Sequence, residues 1–163
     1  MSRETPSLLV MRHGPAADHS VTGLDEDRIL TPAGRQRVER MADALVARGV
    51  VPAAIVTSPL ARAAETANLV LRTLRKHGHE VPVHVAQELV PGRLSGHSAQ
   101  AIVEKHAGCI CLVGHEPCLS GFVAEVAGAH LPRGFDKAMI VALAGALPGP
   151  ELVWVLDPSE HGG

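Results

Sequence analysis

Aromatic residues are nearly absent from this 163-residue chain: there is no tyrosine, one tryptophan and two phenylalanines. That removes the stacking platforms on which single-stranded nucleic acids are held. Lysine is also scarce, three against 12 arginines, and the formal net charge is only −2, so no overall field draws in nucleic acid or an anionic membrane surface. Three cysteines, an odd number, provide no disulfide framework and point to a reducing compartment. Apolar runs stay far below the roughly 20 residues of a membrane span. Leu8 to Met11 is too short for a signal-peptide core and no cleavage site follows it, so a cytoplasmic location is expected. What the chain does have is a 46% apolar and 20% charged composition, that of a globular protein, at a length suited to one domain over residues 1–163.

Leu8 to Met11 reads as a short buried strand, continuous rather than alternating. Residues 14–30, with Pro15, Gly23 and several aspartates, read as a loop. A helix then begins at Thr31 as N-cap with Pro32 in the first turn. Val38, Met41, Ala42, Leu45 and Val46 form its apolar stripe, and Gly49 ends it. Ala53 to Val56 is a second buried strand, Leu60 to His77 a second helix closed by Gly78, and VPVHV a third strand. A loop from Glu88 to Ser98 leads into a short helix ending near His106. CICLVGH repeats the opening pattern of an apolar run, a glycine and a histidine. Pro117 starts another helix, and MIVALAGALPGPELVWVL reads as two antiparallel strands around a Pro/Gly turn. The alternation predicts a three-layer α/β sandwich. Its central sheet is mostly parallel with an antiparallel edge strand, helices cover both faces, and no large cap domain is present.

In sheets of this kind ligands bind beyond the carboxyl ends of the strands. The residues placed there are Arg12 and His13 after the first strand, Ser58 and Arg62 after the second, and His115 after CICLV. Two guanidinium forks match phosphate oxygens and keep their charge at any ordinary pH. A neutral histidine can attack phosphorus, and a second can donate to an equatorial oxygen. Taken singly each residue has an ordinary reading. Arg-His-Gly is a short motif in a chain with 12 arginines, 10 histidines and 16 glycines. Arg62 alone fits a solvated helix residue, and His115 fits a core or rim histidine. Their shared placement after buried strands is what points to a phosphoryl site, and it does not choose between His13 and His115 as the nucleophile.

LLVMRHG, TSPLARAAETA and LVGHEP, in that order over residues 8–118, with LTPAGRQRVERMADAL between the first two, resemble the blocks of the histidine phosphatase superfamily, which includes the phosphoglycerate mutases. The chain's small size, its ELVPG segment and its VWVLDPSE ending resemble the short bacterial SixA-like phosphohistidine phosphatase branch. The resemblance implies His13 as a nucleophile that is transiently phosphorylated, with Arg12, Arg62 and His115 lining the phosphate pocket. Larger members carry an acidic proton donor in the loop after the third strand. The corresponding slot here reads Leu89-Val90-Pro91, with Glu88 and His97 nearby but out of register. An alkoxide leaving group needs such an acid more than an imidazole does, so the loop fits a phosphoramidate substrate.

The expected activity is therefore a metal-independent phosphatase without cofactor, acting on a phosphohistidine-bearing signalling or phosphotransfer protein. Small phosphorylated metabolites are the alternative substrates, and a non-catalytic phosphate-binding module of the same fold is the alternative function. Cys109, Cys111, His115 and Cys118 fall within ten residues and raise the question of zinc. Cys109 and Cys111 are two apart in an expected strand, however, and read as buried structural thiols. The His77-Gly78-His79 triplet reads as a helix end, where imidazole favours the dipole.

Overall fold

The computed structural model describes residues 5–161, so residues 1–4 and 162–163 of the expected 1–163 domain lie outside the described residues. Six strands form one sheet: β1 (Leu8–Arg12), β2 (Ala54–Thr57), β3 (Val83–Val85), β4 (Ile110–Gly114), β5 (Ile140–Ala144) and β6 (Glu151–Leu156). Their spatial order is β3-β2-β4-β1-β5-β6. The first four of these run parallel, β5 is antiparallel to β1, and β6 returns antiparallel to β5. The expected antiparallel edge is thus the β5–β6 hairpin.

Among the described residues, four helices cover the sheet: α1 (Pro32–Ala47), α2 (Ala61–Lys76), α3 (Gly96–Glu104) and α4 (Cys118–Ala127). Alternate residues of each central strand feed two separate cores. Leu9, Met11, Ile55, Cys111 and Val113 pack with Val38, Met41 and Leu45 of α1 and Ala67, Val70 and Leu74 of α2. Leu8, Val10, Val56, Ile110 and Leu112 pack with Ile102 of α3 and Leu119, Phe122 and Val123 of α4. Two covered faces explain why β1 and β4 are apolar at consecutive positions rather than alternating. Among the described residues, no helix is long and apolar enough to cross a membrane.

β1 and β4 lie side by side in the middle of the sheet, with Arg12 paired to Gly114. The next residue of each chain therefore leaves the same edge at the same level. β2 ends on the other flank of β4, where the Ser58 N–H donates to the Val113 carbonyl at 3.0 Å. The topology alone brings three chain segments to one spot.

Candidate active site

His13 sits at the carboxyl end of β1 and is buried. Its backbone N–H bonds the Gly114 carbonyl at 3.1 Å, which continues the β1–β4 ladder one step past the strand. Its ring Nδ1 lies 2.7 Å from the Gly14 carbonyl oxygen. A carbonyl can only accept, so Nδ1 carries the proton and Nε2 keeps its lone pair. The Gly14 peptide is itself pinned, because its N–H donates to Thr66 Oγ1 at 3.0 Å and that hydroxyl donates to the Arg62 carbonyl at 2.7 Å. Burial pushes the His13 imidazole down to about 4 against the opposing pull of the Gly14 bond, and the positive charges of Arg62 and Arg12 add to the fall. At neutral pH it is an uncharged base.

Gly14 has a packing reason to be glycine. A Cβ there would stand 2.6 Å from Val38 Cγ2 and 3.2 Å from the Gly34 carbonyl oxygen. The tight contact seats the segment leaving β1 against the first turns of α1, where Thr31 Oγ1 accepts from the Gly34 N–H at 2.9 Å.

His115 follows β4 and is buried too, its ring centroid 5.2 Å from that of His13. Its Nε2 is 2.8 Å from the hydroxyl of Ser58, which is fully buried and accepts from the Leu60 N–H at 3.2 Å. Burial, then the neighbouring His13 and Arg62, lowers His115 to about 3. Among the described residues its Nδ1 is buried without a hydrogen-bond partner, as are Arg12 Nε and Arg62 Nε.

Arg12 Nη1 donates to the Phe135 carbonyl at 2.8 Å. The Phe135 N–H in turn donates to Glu116 at 3.1 Å, so the residue after His115 steadies the peptide that holds Arg12. Arg62 is the second residue of α2 and is buried, and its terminal nitrogens donate to Asp25, one to the backbone carbonyl at 3.0 Å and one to the carboxylate at 3.2 Å. All four residues, Arg12, His13, Arg62 and His115, line one cavity of about 390 Å³. Ser58 lies behind His115.

Neither Glu88 nor His97 is among the residues lining that cavity. Glu88 borders a separate groove with His84 and His106, and His97 is exposed in the first turn of α3. The loop after β3 contributes Pro91 instead. Five charged lining residues escaped the sequence reading: Asp18, Asp25, Arg28, Glu116 and Lys137. Four of them belong to loops, where no period marks the direction of a side chain; only Glu116, next to His115, lay in a motif carried by the resemblance. Cys111 of β4 lies in the core under α1 and α2, Cys109 just before the strand packs partly buried against the same core, and burial raises the Cys109 thiol to about 11. The Cys118 sulfur accepts from the Gly92 N–H at 2.9 Å. Among the described residues, no three His, Cys, Asp or Glu side chains are grouped to hold a metal ion. His77 caps the end of α2 and pairs with Asp43 at 2.9 Å.

A solved protein histidine phosphatase SixA, complexed with tungstate, superposes with a TM-score of 0.82 over 94% of this chain and 97% of its own, at 24% identity. A structure from Nakamurella, named as a phosphohistidine phosphatase SixA, gives 0.71 over 93% and 95% at 26% identity. These likenesses show a SixA-like fold. In sequence, a Picosynechococcus protein of no assigned activity is 34% identical over 83% of each chain. A 2,3-bisphosphoglycerate-dependent phosphoglycerate mutase of Corynebacterium diphtheriae is 37% identical over 76 residues, which are 45% of this chain and 30% of the mutase. Residues 8–108 match branch 1 of the histidine phosphatase superfamily, a span that runs from β1 through α3. The chain that sets His13, His115, Arg12 and Arg62 around one cavity at its sheet edge belongs to that superfamily.

Proposed function

We propose that this protein is a phosphatase that works through a phosphohistidine intermediate on His13 and hydrolyses phosphohistidine on a protein partner. The observation that carries the reading is the hydrogen bond from His13 Nδ1 to the Gly14 carbonyl, which leaves an uncharged Nε2 lone pair in a cavity whose lining includes the guanidinium groups of Arg12 and Arg62. Nε2 bonds to phosphorus as the substrate's P–N bond breaks, and the departing imidazole takes its proton from water. A water oxygen then bonds to phosphorus, the P–Nε2 bond breaks, and inorganic phosphate leaves. Arg12 and Arg62 offset the charge on the phosphoryl oxygens. His115, tied through Nε2 to Ser58, has Nδ1 left for one of those oxygens.

Pro91 supports the choice of leaving group. It borders the cavity on the loop where larger relatives keep an acid, and it carries no proton. Positioned acid catalysis is worth about 10²–10⁴-fold, a factor an ester loses here and a basic imidazole nitrogen needs less. The cavity volume of about 390 Å³ supports a second reading, a small phosphorylated metabolite, because it falls at the low end of the range of small-molecule sites. The reading needs no metal and places the reaction in the cytoplasm.

Exposure to a ³²P-labelled phosphohistidine protein tests it. Acid-labile label is expected on the wild type and absent from His13→Ala, with turnover unchanged by EDTA. Label that persists in His13→Ala, or moves with His115, overturns the assignment. Phosphate monoesters turned over as efficiently as phosphohistidine overturn the choice of substrate.

A further inference from the structure

The terminal nitrogens of Arg62 are not free to meet a phosphoryl group: both go to Asp25, the first residue of a 3₁₀ turn (Asp25–Asp27) in the loop after β1. The Asp25 carboxylate is shared. One oxygen faces Arg62 Nη2 at 3.2 Å, and the other accepts from Arg28 Nε at 2.9 Å. Arg28 is anchored independently, since its Nη1 donates to the Ala17 carbonyl at 2.9 Å. Asp25 itself is mostly solvent-exposed, its side chain 67% accessible, and rests on a loop, whereas the Arg62 side chain is 7% accessible and built into α2. Of the two, the carboxylate is the partner that can move.

We propose that Asp25 is the resident anion of the pocket, competing with substrate and product phosphate for Arg62 and passing to Arg28 when a phosphoryl group takes its place. The proposal rests on the phosphoryl-pocket reading above and adds a residue that sets how tightly the pocket holds its anion. Two arginines, Arg62 buried and Arg12 partly buried, grip any phosphate, and binding that is equally strong for substrate, transition state and product does not raise the rate of the chemical step. A carboxylate that must be displaced trims that uniform affinity and eases release of phosphate. The opposite role is conceivable for the same contacts: Asp25 as a brace that orients Arg62. The two differ in sign. Neutralising a competitor tightens anion binding, and neutralising a brace loosens it.

Titration calorimetry of the full chain with inorganic phosphate separates them. Asp25→Asn and Asp25→Ala are each expected to lower the phosphate Kd about fivefold, the scale of one partly exposed ion pair. KM falls in parallel while kcat does not rise. Glu26→Gln, which removes an equal charge from the same turn without releasing Arg62, is expected to change the Kd less than twofold. Circular dichroism establishes that each variant is folded. Unchanged or weaker phosphate binding in both Asp25 variants overturns the proposal, as does an equal gain from Glu26→Gln, which makes the effect one of net charge. Arg62→Ala reports on the underlying reading instead. Its phosphate binding is expected to be lost, and binding at the wild-type level there sinks the phosphoryl pocket itself.

Discussion

His13 and His115 are held uncharged by the same burial that places them beside each other, and this links the pocket to the stability of the fold. In the unfolded chain both take up protons near pH 6.5; in the folded protein burial lowers them to about 4 and about 3. Between those values the unfolded state binds more protons, so stability is fully present above pH 6.5 and is lost as pH falls toward 4. Each histidine contributes a slope of about 1.4 kcal/mol per pH unit in that window. Urea midpoints measured at pH 7, 6 and 5 are expected to fall steadily. His13→Ala removes one proton's share of the slope even if it shifts the absolute stability, and a slope equal to the wild type's contradicts the neutral-histidine assignment. Both histidines were legible in the sequence because each follows an apolar run. Their ring settings were not, since a carbonyl one residue away fixes the His13 tautomer and a hydroxyl 57 residues away holds the His115 ring.

Among the elements, α1 was readable because its start is written locally: Thr31 caps, Pro32 sits in the first turn, and the apolar stripe has helical spacing. What the local signals omit is how closely its first turn meets the segment leaving β1. A Cβ on Gly34 would come within 2.1 Å of the Pro15 carbonyl oxygen, a backbone atom that cannot step aside. Gly34→Ala is expected to cost about 3 kcal/mol or more in chemical denaturation, the upper range for overpacking, and to reduce phosphatase activity because Pro15 adjoins the Gly14 peptide that holds His13. A cost below about 0.5 kcal/mol would show that the contact relaxes freely. Two elements departed from expectation. The third strand is only Val83–Val85, at the sheet edge with His84 and Val85 exposed, because β3 pairs on one side alone. α3 starts at Gly96, inside the expected loop, because Ser95 and Ser98 cap each other and Glu125 of α4 accepts from the Gly96 N–H at 2.9 Å. A serine pair and a carboxylate 29 residues away are weak signals in one dimension.

At the scale of the whole molecule the central position of β4 makes one of its residues a reporter. Cys111 is fully buried between β1 and β2, beneath α1 and α2, and burial raises its thiol. A thiol reagent can reach it only when the sheet opens, whereas Cys109 and Cys118 are partly exposed. In the native protein Cys111 is therefore expected to be modified orders of magnitude more slowly than Cys118, with a rate that rises in urea in step with loss of helical signal. Fast labelling under native conditions would mean that β4 detaches locally, and the active-site edge with it.

Sequence alone determined the layers, the order of strands and helices, and the residues that end each buried strand, because apolar period, caps and breakers are short-range properties of the chain. It also pointed to Arg12, His13, Arg62 and His115, since in a parallel sheet the residue after each buried strand must emerge at one edge. Only the tertiary structure decided which strands are neighbours, and hence that positions 13 and 115 stand 5.2 Å apart between ring centroids. Only the folded loops decided that Asp25 reaches Arg62 across 37 residues, and that Glu116 and Phe135 steady Arg12. Those contacts depend on distances between segments remote in sequence, which no local pattern of residues encodes.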